Sequence, residues 1–418
     1  MNKENIWERN FTLLYCSKLV KVTADRLAFN SILWFLILDG KGAIGTALLI
    51  AVTFLPQAII APFISPLMKT NTLKFWMLSA DLTRALLMLI VPVCYFNGFT
   101  PLWFIISLMM IHSATGASYD PASISLIPKI VKENVIQKAN ATIVSSVEIV
   151  NLSAVIVSGV LIVMIGAAQT MLITLPLYII SAGLVLLIKY KASEVNTKTN
   201  ELKPRNTYLS KLRRGFTLVR HHKILFPLTI YCIFLNLGSA PWEALSAIYI
   251  SEDLDGNSIT HSILRVATAA GAFLMGFILT KVKVNRYGLL FVTAGIIEGT
   301  AFFITGMNSL LLLVVIAAFV LGATVSANNV PEHTIIQTSV ADEDQPQVFA
   351  VIGLISYIMI PVGAILSGYA ASAIGAGKVI AIGGIVEIIA GVAILVLTKL
   401  RKAKRSDLIL AKDESIKI

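Results

Sequence analysis

Four charged side chains sit inside the first apolar run of this chain: Lys18, Lys21, Asp25 and Arg26. Lys18, Lys21 and Asp25 are spaced three and four apart, so on a helix they share one face. Arg26 lies about 100° further round, on the adjoining face. An acid that exchanges a proton, set among cations that attract an anion, is binding and proton-transfer chemistry. Asp25 reads as a proton site or a salt-bridge partner. The competing account has Lys18 snorkelling and Lys21 pairing locally with Asp25. Glu148 and Asn151 share a later run with Ser145, and Glu148 is a second proton-site candidate. Asp81 and Arg84, three apart, read as a structural pair or gate tether, and Asp120, just before Pro121, as a gate or bend.

Further along, Trp242 and Glu243 follow Pro241, and Arg265 opens the next run. A Glu243–Arg265 pair that closes one side and simple exposure at the interface are both open readings. With Lys18, Lys21, Arg26 and Asn151, Trp242 and Arg265 complete the candidate substrate-binding set, and Glu243 joins Asp25 and Glu148 as a proton-coupling candidate. Glu298 and Glu387 fall inside runs without an assigned role. Asn328, Asn329, Glu332 and His333 read as a solvated cluster at the end of a run. Trp34, Trp76 and Trp103 are placed at interfaces. Tyr15, Phe29, Tyr119, Tyr231, Tyr357 and Trp242 are cavity or packing residues. Nucleotide-binding GxxxxGK[ST], HExxH and GxSxG patterns are all missing. Cys16, Cys94 and Cys232 have no CxxC spacing, and His221-His222 has no further ligands. The chain is therefore expected to be no enzyme, with no cofactor and no metal.

These residues must be positioned by membrane helices. Of 418 residues, 56% are hydrophobic and 14% charged, against about 25% charged in soluble domains. The mean hydropathy is +0.82. A soluble enzyme and a disordered chain are excluded. The net charge of +11 sits in gaps between apolar runs and not on one soluble face, which argues against nucleic acid. A bilayer core takes about 20 apolar residues per helix. Twelve runs qualify: 11–38, 42–65, 74–96, 101–126, 137–165, 168–190, 223–250, 261–281, 286–306, 309–331, 347–373 and 377–399. Pro56, Pro121, Pro176, Pro241 and Pro361 should kink or loosen theirs. The expected fold is an all-α membrane protein of two six-helix bundles, residues 1–190 and 223–400. They are joined by a basic cytoplasmic linker, 191–222, and followed by a tail, 401–418.

With both termini cytoplasmic, 27 of the 34 Lys and Arg fall on the inner side and only Lys41 and Lys378 outside. The other five, Lys18, Lys21, Arg26, Arg84 and Arg265, lie within spans. The positive-inside rule supports that orientation. The linker includes KPRNTYLSKLRRGF, readable as an amphipathic helix on an anionic leaflet or as a plain basic tether. The halves echo each other: Ser158-Gly159 with Gly166, and 209 residues later Ser367-Gly368 with Gly375. PFISPLMKTN (62–71) likewise resembles GFILTKVKVN (276–285). Parallel six-helix repeats put a substrate site near the midplane.

Five segments resemble the major facilitator superfamily: FTLLYCSKLVKVTADRLAFNSILWFLILD (11–39), ADLTRALLML (80–89), YDPASISLIPKIVKENVIQKAN (119–140), FTLVRHHKILFPL (216–228) and IPVGAILSGYAASAIG (360–375). The likeness is to the branch of drug and siderophore exporters, and within it most to staphyloferrin B-type siderophore exporters. Two departures stand out. The loop SPLMKTNTLK (65–74) lacks the superfamily's acid, and SAVIVSGVL (153–161) lacks the Gly-Pro of many antiporters. The resemblance implies rocking of two halves around a shared cavity. Embedded cations point to an anionic cargo. The expectation is a monomeric, proton-coupled exporter of a carboxylate-type siderophore from the cell, with the bilayer as its medium and no nucleic-acid partner. The alternative is a macrolide or lipophilic-drug pump of the same fold.

Overall fold

The computed structural model describes residues 6–64, 72–132, 135–190, 206–282, 284–341 and 344–402. Every regular element among them is helical. The first six are α1 (Arg9–Leu38), α2 (Gly42–Ile64), α3 (Leu73–Phe96), α4 (Leu102–Ile130), α5 (Ile136–Ile165) and α6 (Ala167–Leu187). α7 (Asn206–His221), α8 (Leu225–Glu252), α9 (Ser258–Lys281), α10 (Tyr287–Gly306) and α11 (Leu311–Ser339) follow. The last are α12 (Gln345–Tyr357), α13 (Met359–Ile374) and α14 (Ala376–Leu397). Among the described residues, ten helical stretches are long and apolar enough to cross a membrane, with α12 and α13 counted as one. α1 is 30 residues long and carries Lys18, Lys21, Asp25 and Arg26.

The chain divides into two compact units: Met1–Val195 with Gly256–Ser262, and Asn196–Asp255 with Ile263–Ile418. In the first, α1 packs on α6 and α5, α3 on α6 and α4, and α2 on α4. In the second, α14 packs between α10 and α8, and α10 also meets α11. Small residues bring these backbones close, as van der Waals packing in lipid demands. A Cβ at Gly299 would come 2.5 Å from the Gly384 carbonyl, and one at Gly377 2.7 Å from that of Gly306.

The 209-residue echo has a backbone counterpart. α5 ends at Gly166 (φ 92°, ψ 161°) and α13 ends at Gly375 (φ 89°, ψ 154°), and each glycine opens the next helix. That conformation is essentially closed to residues with a Cβ, so both halves need glycine there. The other matched pair, 62–71 and 276–285, lies partly outside the described residues, as does most of the loop 65–74. The prolines are accommodated inside helices, with one break. Pro361 has no N–H for the Tyr357 carbonyl, and the helix is interrupted at Ile358. α4 and α11 run on past the expected ends, to Ile130 and Ser339. Within the expected linker, α7 is a helix that packs on α12, its Leu218 and Val219 buried and its Arg213, Arg214 and Arg220 outward. Arg214 Nη2 lies 2.8 Å from Asp344 Oδ2. His222 Nδ1 accepts from the Ile224 and Leu225 N–H groups at the start of α8.

Candidate functional site

α1 contributes the charged stripe. Around it the first unit encloses a cavity of about 490 Å³, whose charged lining is Lys18, Lys21, Asp25, Arg26, Arg84, Asp120 and Glu148. His112, Asn151 and Phe29 line it too. These seven charges therefore face one cavity, whose lining is otherwise largely apolar (Val22, Ile32, Leu49 and Met109 among it), as the cost of exposing charge to lipid requires.

Asp25 is the hub. Its Oδ1 lies 2.8 Å from Arg84 Nη1 and accepts the Tyr178 hydroxyl at 2.8 Å. Its Oδ2 lies 3.0 Å from Lys21 Nζ. Lys21 also reaches Asp120 Oδ2 at 3.6 Å, and Lys18 reaches Asp120 Oδ1 at 3.5 Å. Lys18 donates to Ser123 Oγ at 3.1 Å. His112 Nε2 is 3.0 Å from the Tyr178 hydroxyl oxygen. The Tyr178 proton is directed at Asp25, so His112 must be the donor in that contact, with its proton on Nε2. Helices α1, α3 and α6 are thus tied through one acid, and α4 joins them through Asp120 and His112.

The expected Asp81–Arg84 pair is corrected by this geometry. Arg84 turns to Asp25 on α1. Asp81, fully buried, accepts from Ser181 on α6 at 2.6 Å, and its Oδ1 has no hydrogen-bond partner among the described residues. Residues three apart on a helix can still diverge when different neighbouring helices offer the better partner. Asp120, read from sequence as a gate or bend, accepts contacts from two lysines of α1.

Two charges of the wall stay outside this knot. Arg26 Nε donates to Asn151 Oδ1 at 2.8 Å, and no acid lies within ion-pair distance of Arg26 among the described residues. Glu148 lines the same cavity one helical turn from Asn151, is exposed, and has no ion pair among the described residues. Below them α1 and α5 are clipped by Asn30 donating to Ser158 at 2.7 Å.

Trp242, Glu243 and Arg265 belong to the second unit and do not line this cavity. Glu243 and Arg265 do meet, their closer contact being 3.2 Å between Oε2 and Nη2. Trp242 is buried against Phe302. Trp34, placed at an interface by sequence, is buried. Asn328 is not at a solvated helix end: α11 continues past it, and Asn328 donates to Glu298 at 2.5 Å. His112, Tyr178, Ser181 and Ser123 were not flagged by sequence. A lone histidine inside an apolar run was a usable signal for His112. Nothing local marked the other three.

A family model described as Major Facilitator Superfamily matches residues 22–297 and 244–416. An uncharacterized MFS-type transporter, YvqJ of Bacillus subtilis, is 63% identical over 416 residues, covering 100% of this chain and 99% of the relative. Macrolide efflux protein A of Streptococcus pyogenes is 22% identical over 405 residues, 96% of this chain and 99% of that one. Among solved structures, the nucleoside transporter NupG superposes with a TM-score of 0.71 at 14% identity, covering 92% of this chain and 98% of its own. A POT family transporter bound to 5-aminolevulinic acid also reaches 0.71 at 13% identity, covering 95% and 98%. These two likenesses concern the fold alone.

Proposed function

The chain belongs to the Major Facilitator Superfamily, a multi-pass membrane transporter family, and from that premise we propose a proton-coupled exporter of a small organic cargo that carries carboxylates. We assign it twelve spans with both termini in the cytoplasm, α1 and α2 joining the ten apolar stretches. α1 falls outside that set by its charge content, not its length, and the inner-side excess of Lys and Arg supports the orientation.

The observation that carries the reading is Arg26, steadied by the neutral amide of Asn151 and, among the described residues, in no ion pair, with Glu148, likewise in none, one turn from Asn151 on the same wall. A cargo carboxylate meets Arg26 through charge-assisted hydrogen bonds. The wall holds four cations (Lys18, Lys21, Arg26, Arg84) against three acids (Asp25, Asp120, Glu148). It is close to neutral, so a polyanion is attracted less than the bare count of embedded cations suggests. A cargo with both carboxylates and N–H or O–H donors suits it better, as in a hydroxycarboxylate siderophore. Its donors engage ionised Glu148 and its carboxylate engages Arg26. A proton arriving on Glu148 then displaces the donors, which is the competition an antiporter needs. The membrane potential adds about 2.3 kcal/mol per charge per 100 mV. Asp25, gripped by three donors, holds the frame in this scheme.

The test compares secreted and retained metabolites in a deletion strain complemented with wild type, Arg26→Gln or Glu148→Gln under iron limitation. Retention of a hydroxycarboxylate by the deletion strain and by both variants is expected, and normal secretion by both variants would overturn the reading. A second reading, macrolide efflux, has the 22% identical relative in its favour. A deletion that alters macrolide susceptibility and leaves the metabolites unchanged selects it.

A further inference from the structure

In the second unit two carboxylic acids are buried where α14 meets α10. Glu387 of α14 is 0% exposed and Glu298 of α10 is 8% exposed. Glu387 lies against two glycines: a Cβ at Gly299, the residue after Glu298, would come 2.9 Å from Glu387 Cβ, and one at Gly238 of α8 would come 2.9 Å from Glu387 Oε1. Asn328 of α11, 7% exposed, turns its amide to Glu298.

The pocket is rich in acceptors and poor in donors. Both carboxyl oxygens of Glu387 and the Oδ1 of Asn328 have no hydrogen-bond partner among the described residues. The one donor given to the acids is the Asn328 amide. Tyr231 of α8 lies within electrostatic reach of both acids, but its hydroxyl donates to the Val292 carbonyl at 3.2 Å. No Lys, Arg or His is within ion-pair distance of either acid among the described residues. Packed against α14, α10 presents Glu298 and α8 presents Tyr231, while the tyrosine of α13, Tyr369, is exposed. Two ionised carboxylates cannot stay in such surroundings, because an unpaired buried charge is removed by neutralisation. What the pocket lacks is hydrogen, and the smallest ligand that supplies it is a proton.

We propose that Glu298, Asn328 and Glu387 form a proton-binding site inside the second unit, apart from the charged cavity of the first. A proton on one carboxyl turns an acceptor into an O–H donor, which these acceptor-rich surroundings are short of. A purely structural acid at this depth is normally paired or hydrogen-bonded through both oxygens. Glu387 is neither.

The test is infrared difference spectroscopy of the purified full-length protein in lipid nanodiscs, with no cargo added and the pH as the only variable. Wild type should show a protonated-carboxyl C=O band that bleaches reversibly as pH rises. Because one proton serves the pair, Glu387→Gln and Glu298→Gln should each shift or remove that band. A band unchanged from wild type in both variants, or one that does not bleach, overturns the proposal. Should Glu387→Gln fail to fold, Asn328→Ser leaves both acids in place and must shift the band; an unshifted band is again fatal. Because no cargo enters the measurement, its outcome stands independently of the Arg26 and Glu148 reading.

Discussion

The Asp25–Arg84 contact lends itself to a double-mutant cycle with a definite expected size. Arg84 is 2% exposed and its Nη1 lies 2.8 Å from Asp25 Oδ1. Removing one member of a buried ion pair typically costs about 3–5 kcal/mol, because the other charge is left bare. In Arg84→Gln the bared acid keeps Lys21 at 3.0 Å and the Tyr178 hydroxyl at 2.8 Å. The loss should therefore sit at the low end, about 3 kcal/mol, roughly a hundredfold in the folding equilibrium. Asp25→Asn leaves Arg84 facing a neutral amide and the His112 carbonyl at 3.4 Å, with its directly bonded carboxylate gone, so it should cost at least as much. The double variant leaves no bare charge at this contact, and Lys21 still has Asp120 at 3.6 Å. Its loss should fall about 2–3 kcal/mol short of the sum of the singles. Equilibrium unfolding of the purified protein in mixed micelles, followed by tryptophan fluorescence, measures all four corners. Strict additivity would refute the hub role given to Asp25.

Three more expectations follow from the same geometry. Arg26→Gln should raise the cargo KM about 10- to 100-fold, the worth of a charge-assisted hydrogen bond, with unchanged thermal stability; counterflow in proteoliposomes with the identified cargo reads it, and an unchanged KM contradicts the assignment. Gly375→Ala should destabilise by about 1–3 kcal/mol through backbone strain alone, since a Cβ there meets nothing within 4 Å; a neutral result in the same unfolding assay would mean that the glycine hinge is not required. Arg214→Ala should speed amide exchange across residues 213–221, because the tie from α7 to Asp344 is lost, and unchanged exchange would show that packing of Leu218 and Val219 holds α7 unaided.

Much of the scaffold could be read from residue order, because a bilayer imposes length and hydrophobicity on each element separately. The run 74–96 became Leu73–Phe96 and the run 286–306 became Tyr287–Gly306 without any knowledge of neighbours. Helix ends that carry polar residues were less legible. α11 runs on through Asn328, Glu332 and His333 to Ser339 because its neighbours bury part of that stretch, and hydropathy alone stops at Pro331. The glycine echo was legible for a different reason. A φ near +90° at the α5–α6 and α13–α14 junctions excludes side chains, so the same residue recurs in both halves.

The site was legible only as far as one helix can specify it. Spacing put Lys18, Lys21 and Asp25 on one stripe, and they do face one cavity. Spacing also suggested that Arg84 would serve Asp81, and there local reasoning failed. Partner choice is decided between helices: Asp25 of α1 offers Arg84 a carboxylate already organised by Lys21 and Tyr178, whereas Asp81 is turned toward Ser181. Once those partners are fixed, the meaning of the embedded charges changes. Lys18, Lys21 and Arg84 are largely consumed in neutralising Asp25 and Asp120, so their number says little about the cargo. What remains free to discriminate is the pair that the knot leaves out, Arg26 held by Asn151, and Glu148. On the proposed reading, binding and release gain from this division, because the interlocked charges would keep the helices in register while one cation and one acid change partners.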